Sequence, residues 1–175
     1  MFVMVFGTMN VEKSSAVTDT MQLIQNFVTG GLSLEAMETL GFSDITIGTA
    51  TNSRANMTTF NVRDLRGTGA GWTVTAVCNQ LTIDNAATGT NNIQNSAIAF
   101  EPSAATMIPL GGAVTTGMAL GSDAFLSAAR TFVNASAGNG MGNYKVNNTM
   151  FNIVYSGAVA QLAGTYNAIV TFELL

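Results

Sequence analysis

Two stretches of this chain share one alternation of apolar and polar positions. In the first, a polar, glycine-rich turn over 62–71 runs into Trp72, Thr73, Val74, Thr75 and Ala76. In the second, Ala163, Gly164 and Thr165 lead into a run that ends Thr171, Phe172, Glu173, Leu174. Each carries an aromatic residue with an aliphatic one two places on: Trp72 with Val74, and Phe172 with Leu174. Side chains two apart in a strand point the same way, so each pair predicts one buried face of a sheet. The only Trp of the chain belongs to the first pair.

Strand-like runs recur at short spacing along the rest of the sequence. The pattern predicts strands near 2–10, 20–28, 31–37, 44–48, 56–63, 71–83, 92–100, 105–109, 124–133, 143–154 and 164–174. Gly, Asn and Ser punctuate them, most densely at 66–71, 88–92 and 138–143. Two runs also fit a helix: 14–26, with Val17, Met21 and Ile24 at helical spacing, and 122–133, which starts near Asp123. Strand is the preferred reading for most of both. Pro102 and Pro109 flank a segment suited to an edge or crossover, since Pro cannot donate to a central ladder. Eleven short strands without a long helix predict an all-β fold. The expected form is a two-sheet β-sandwich of Greek-key (Ig-like) or jelly-roll-like type.

The first nine residues stand apart. Phe2, Met4 and Phe6 would share one face of a strand and Val3 and Val5 the other, so this run is apolar on both sides. Such a strand must be buried, in its own domain or in a neighbour's. It is too short to cross a membrane and lacks a basic start, so it is either the remnant of a signal peptide or an inter-subunit strand. The expected organisation is therefore an apolar strand and linker over 1–19 and one sandwich domain over 20–175.

Composition narrows the function. Of 175 residues, 47% are hydrophobic, but only 9% are charged, against about 25% in an ordinary globular protein. Polarity comes instead from Thr, Asn, Ser and Gly, which suits a neutral extracellular surface. The net charge is −4. Arg54, Arg63 and Arg66 lie near one another with Asp64 between them, so no basic patch for nucleic acid is expected. No His is present, which excludes a Ser-His-Asp triad, a Cys-His pair and imidazole metal ligands. The one cysteine, Cys78, shares a face with Trp72 and reads as a small buried apolar residue.

Other candidates for chemistry are weak. Glu35 and Glu38 have no spacing that supports a hydrolase pair. Asp84 with Asn85, and Asp123, offer isolated oxygens and no calcium loop. The glycine-rich turns lack the Lys-Ser/Thr and the helix of a phosphate loop. No cofactor or metal is expected. Lys13 and Lys145 do not sit in apolar strands of the kind that bury an isopeptide staple. Sequons at Asn56, Asn134 and Asn147 are as many as this composition yields by chance. Arg63, Asp64 and Arg66 read either as a polar cluster for an acidic or sugar ligand, or as a turn in which Asp64 accepts hydrogen bonds and the arginines are solvated. The ten Met are expected to fill the core, with Met1, Met4 and Met9 also suited to an adaptable docking strand.

The run from Val62, Arg63 and Asp64 through Gly67, Gly69 and Gly71 to Trp72, Thr73 and Val74 resembles the first signature of WxL-type surface domains of Gram-positive bacteria. Residues 28–34 and 42–48 are similar to the family's opening strands, and residues 137–144 and 163–174 to its closing ones. The resemblance covers about 27–175 and is loosest over 85–125. Val74 stands where the motif has Leu, and Phe172 where it has Trp. Phe keeps the packing of a core aromatic but lacks the indole N–H. The resemblance makes Trp72, Val74, Phe172, Leu174, Tyr166, Asp64 and Arg66 the motif residues. It implies a secreted, non-catalytic cell-surface protein that associates non-covalently with the envelope. Its partners would be a cell-wall polymer or other surface proteins. The alternative, motivated by residues 2–6, is a subunit of an extracellular filament or surface layer that joins to copies of itself by strand donation.

Overall fold

The computed structural model describes residues 22, 24–36, 39–49, 51–83, 92–155 and 161–175. The strand expected at 2–10, and with it Phe2, Val3, Met4, Val5 and Phe6, lies outside the described residues, as do Lys13, Glu38, Asp84 and Asn85. Fourteen strands form among the described residues: β1 (Leu32–Ala36), β2 (Thr51–Met57), β3 (Phe60–Asp64), β4 (Trp72–Cys78), β5 (Thr82–Ile83), β6 (Ile98–Glu101), β7 (Thr106–Leu110), β8 (Met118–Leu120), β9 (Ala124–Phe125), β10 (Arg130–Ala135), β11 (Gly142–Asn147), β12 (Thr149–Tyr155), β13 (Tyr166–Asn167) and β14 (Val170–Leu174). All of their pairings are antiparallel.

Three four-stranded sheets result, ordered β1-β3-β11-β7, β2-β12-β6-β9 and β14-β4-β10-β8. The first two are halves of one bent layer. Asp64 faces Gly142 and Phe60 faces Val146 in one half; Met57 faces Thr149 and Thr51 faces Tyr155 in the other. Residues 58 and 59 stand between the halves on one strand and 147 and 148 on the other, so the register continues unbroken across the bend. Asn148 sits at that bend with φ 62, the one positive φ among the described residues that are not glycine. Asn tolerates this conformation because its short side chain bonds locally; here Asn56 Nδ2 donates to Asn148 Oδ1 at 3.2 Å. The third long strand of the layer, β6 with β7, is broken by a 3₁₀ turn over Pro102–Ala104. The carboxylate of Asp123 accepts from the backbone N–H and hydroxyl of Ser103 in that turn, at 3.0 and 2.8 Å.

The third sheet closes against this bent layer, giving the expected all-β sandwich. Alternation explains the inner face: Trp72, Val74, Ala76 and Cys78 of β4 are all buried, while the residues between them are only half-buried. In β10 the pairing with β4 slips between Thr131 and Val133. Such a bulge re-aims a side chain, and Phe132 is fully buried here. Its ring lies 4.8 Å from Phe60 and 5.2 Å from Phe100, one from each half of the bent layer, and 5.7 Å from Phe172 of its own sheet. Burying a Phe of this kind contributes roughly 1.5–3 kcal/mol, so this cluster is the main joint between the layers.

Several expected elements take another form. Gln22 and residues 24–30 form no strand, and Ile24, Phe27 and Val28 are 74%, 93% and 93% exposed. Residues 44–48 turn instead of pairing, with the Thr49 backbone N–H and hydroxyl both donating to Thr46 O. The helix alternative over 122–133 does not form: β9 and β10 lie there, separated by a turn, and β8 adds a strand that the apolar pattern did not indicate. The runs 56–63, 71–83, 143–154 and 164–174 are each interrupted, because the layer bends or the chain changes sheet. Pro109 lies in β7, an edge strand, where its missing N–H costs no ladder bond.

Candidate functional site

The two glycine-rich turns singled out in the sequence meet at one end of the sandwich. Gly138 N donates to Gly69 O at 2.6 Å, and Gly30 N and Leu65 N exchange bonds with Leu65 O and Gly31 O. Asp64 closes β3 with its carboxylate buried. It accepts from the Arg66 backbone N–H, Nε and Nη2, each at 3.0 Å, and Nη2 also donates to Gly71 O at 2.7 Å. The Arg66 guanidinium holds the Asp64 carboxyl below the ordinary carboxylate range, against the opposing effect of burial, and Asp64 in turn raises Arg66. Asp64 is therefore a turn acceptor, and Arg66 is its ion-pair partner and not a solvated side chain. Arg63 is exposed, and Arg54 pairs with Glu101 at 3.5 Å.

Trp72 follows directly. Its indole Nε1 donates to Gly140 O at 2.9 Å inside the core, and its ring lies 6.1 Å from Tyr144. The Tyr144 hydroxyl is within reach of Met141 O at 2.8 Å and Val114 O at 3.1 Å. Burial pushes the phenol pKa up, and the Asp64 charge adds to this. Gly140 has φ 79, and a Cβ added there would lie 2.7 Å from Trp72 Nε1. Gly71 has φ 77, and its Cβ would lie 2.6 Å from Ala135 O. Both positions require glycine for space as well as for conformation. The polar groups of Asp64, Arg66, Trp72 and Tyr144 all bond within this end, so the constellation is a clamp.

The second aromatic pair lies beside the first. β14 pairs with β4 so that Leu174 faces Val74 and Phe172 faces Ala76. Trp72 and Val74 are buried, whereas Phe172 and Leu174 are half-buried. The reason is position: β14 is the edge of its sheet. Beyond it, toward the end away from Trp72, the two layers part. A trough of about 420 Å³ opens there, with Val170 and Phe172 on one wall, Leu40 and Met57 on the other, and Ile98 and Phe151 among its lining. None of the described residues that line it is charged. Cys78 also lines it, and burial pushes its thiol up to about 11, which leaves no thiolate for chemistry near neutral pH.

The trough continues into a wider cleft of about 640 Å³ between residues 39–47 and 161–167. Ser43, Asp44, Tyr155, Gln161, Tyr166 and Asn167 contribute polar groups to it. The Tyr166 hydroxyl lies 3.1 Å from Gln161 Oε1 and 3.0 Å from Leu162 O. The seven motif residues thus divide. Asp64, Arg66 and Trp72 form the clamp, Val74 and Leu174 join the two strands, and Phe172 and Tyr166 line the open end. The cleft was not foreseen, since Leu40 and Phe42 belong to a segment without strand structure. Gly140 and Tyr144, the partners of Trp72, were visible only as a glycine-rich turn and its next aromatic.

Among the described residues no three His, Cys, Asp or Glu side chains gather to hold a metal, and no helix is long and apolar enough to cross a membrane. Glu35 accepts a long bond from Asn61 at 3.3 Å. The described strands thus make an antiparallel sandwich clamped at one end and open at the other. The family model of the WxL domain, a surface cell wall-binding domain, matches residues 6–152, and the chain belongs to that family. It is thus a cell-surface domain of the wall-binding class. The matched stretch includes Trp72, Thr73 and Val74 and ends before Phe172. No curated protein and no solved structure matches the chain.

Proposed function

We propose that this protein is a non-catalytic structural or adhesion component of the cell surface that holds a cell-wall glycan in the wider part of its cleft. The observation that carries this is the lining: hydroxyls, amides and the rings of Tyr155 and Tyr166, with Asp44 the one charged residue among those described. Neutral hydrogen-bonding groups beside aromatic faces suit a sugar chain, which presents hydroxyls at its edges and C–H groups on its faces. Net charge −4 and the scarcity of cations argue against an anionic wall polymer as the principal ligand. The test is co-sedimentation with purified peptidoglycan, comparing the native protein with Tyr166→Ala. Native protein in the pellet and the variant in solution is the expected result. Native protein that stays wholly in solution refutes the reading.

A second reading is favoured by the apolar trough. An uncharged gap between two layers is suited to an added strand, and self-assembly into a filament or surface layer would fill it.

A further inference from the structure

We infer that the outer face of β12 and its neighbours is a second glycan site, where a neutral sugar ring lies over Ala99 and against Phe125, with its hydroxyls on Asn152, Arg54 and Glu101. The class of ligand rests on the reading above, but the site is a different one. Ile153 and Tyr155 of β12 line the cleft, and Asn152 between them turns to the opposite face of the strand. Register sets Arg54, Asn152, Ala99 and Phe125 in one row across β2, β12, β6 and β9. Two strand spacings, about 10 Å, separate Asn152 from Phe125. One pyranose ring fills that span, and the small side chain of Ala99 leaves room for it.

Asn152 is the observation that points to a ligand. On the same outer face Asn52, Arg54 and Asn56 of β2 are exposed, whereas Asn152 is 5% exposed. Its Oδ1 is buried and accepts no hydrogen bond among the described residues. An acceptor left in that state costs about 1–3 kcal/mol, so a donor is called for. The cover over it is loose. Arg54 Nη2 meets Glu101 Oε1 at 3.5 Å, and the Arg54 side chain is 58% exposed. Because Arg54 is on β2 and Glu101 on β6, this pair reaches across β12. Adjacent sugar hydroxyls match the three groups: one donates to Asn152 Oδ1 while accepting from Arg54, and the next donates to Glu101. Phe125, 44% exposed, offers a ring to the C–H face of the sugar. Arg130 Nε donates to Phe125 O at 3.1 Å and holds that residue in place.

The face is suited to a chain of sugars and not only to one. Asn143 and Asn147 lie on the outward side of β11, since Tyr144 and Val146 between them are buried. Their Oδ1 atoms are also buried and without a hydrogen-bond partner. The fourth such atom, Thr149 Oγ1, is on the inner side with Phe151. β11 runs into β12 through the bend at Asn148, so three unpaired acceptors follow one line along the outside of the layer. A polymer that presents hydroxyls at each unit supplies donors along such a line.

An NMR titration of the ¹⁵N-labelled full chain with chitotriose, a neutral trimer of N-acetylglucosamine, tests this. The amides of Ala99, Glu101, Phe125 and Asn152 should shift, apart from any shifts at 39–47 and 161–167. Phe125→Ala and Arg54→Ala should each weaken binding at the outer face about tenfold, and Phe125→Tyr should retain it. Arg54 is exposed, so its variant reads binding without disturbing the core. Shifts confined to the cleft, or outer-face shifts of unchanged affinity in both alanine variants, would overturn the inference and leave the cleft reading standing. Outer-face shifts that persist in Tyr166→Ala, with none in the cleft, would uphold it and count against the cleft. No shift on the outer face overturns it outright, while peptidoglycan co-sedimentation still decides the cleft reading.

Discussion

The two ends of this sandwich are built from similar residues to opposite effect. At the clamped end an aromatic ring, an ion pair and two glycine-rich turns interlock, and Trp72 is 3% exposed. At the open end an aromatic ring of the neighbouring strand, Phe172, is left half-covered beside a trough. The difference is where each strand lies. β4 is flanked by β14 and β10, and its first residue is roofed by Gly140; among the described residues β14 has a strand partner on one side only. One Trp-like motif therefore serves the fold, and its echo is free to serve a surface.

The largest expected effect breaks the clamp. Trp72→Ala removes the ring and leaves Gly140 O without its donor, and should cost about 4 kcal/mol by chemical denaturation. Ile169→Ala, at the rim of the trough, should change stability by less than about 0.5 kcal/mol. Equal losses at the two positions would mean that the open end carries the fold as much as the clamp does.

A finer contrast restores the family's own residues in each motif. Val74 is fully buried, so Val74→Leu adds a methylene to closed space and should cost about 1–3 kcal/mol. Phe172→Trp adds more volume, but beside the trough, and should cost less than about 1 kcal/mol. The reverse order would show that the trough is closed in solution. The variant with Trp at 172 is also the better test of whether this side chain touches a partner, since its emission would report burial on assembly.

Acid sharpens the same comparison. The folded-state pKa of Asp64 lies below its unfolded value because Arg66 favours the charged form. Its contribution is therefore present above about pH 4 and is lost as pH falls through the folded value. Thermal unfolding between pH 6 and pH 2 should show the melting temperature dropping below about pH 4. In Asp64→Asn the melting temperature should start lower and drop less. A variant whose acid profile parallels that of the native protein would remove the ion pair from the clamp.

How much of this was legible in the sequence follows the same division. The face shared by Trp72, Val74, Ala76 and Cys78 was readable, because alternation in a buried strand depends only on neighbours two apart. The glycines at 69, 71, 138 and 140 were readable as turns, but not that the turns dock on each other, which needs the register of β3 with β11. The bend at Asn148 was hidden because the apolar pattern runs through it on both strands. The ion pair was half readable: Asp64 and Arg66 are two apart, and only the buried end of β3 decides that the arginine stays. The trough was not legible at all, since it is the place where strands stop, and the strand pattern read at 44–48 in the adjoining wall forms a turn instead.

The smallest effect concerns Cys78, which lies on the same strand as Trp72 but faces the other region. It is 3% exposed, and burial pushes its thiol up to about 11, so at pH 8 almost none of it is thiolate. Iodoacetamide should modify the unfolded chain and leave the native protein almost untouched over the same time. Loss of Trp72 should speed the reaction only through global unfolding, in step with the measured stability. Fast modification of the native protein would mean that the layers part at Cys78 without unfolding.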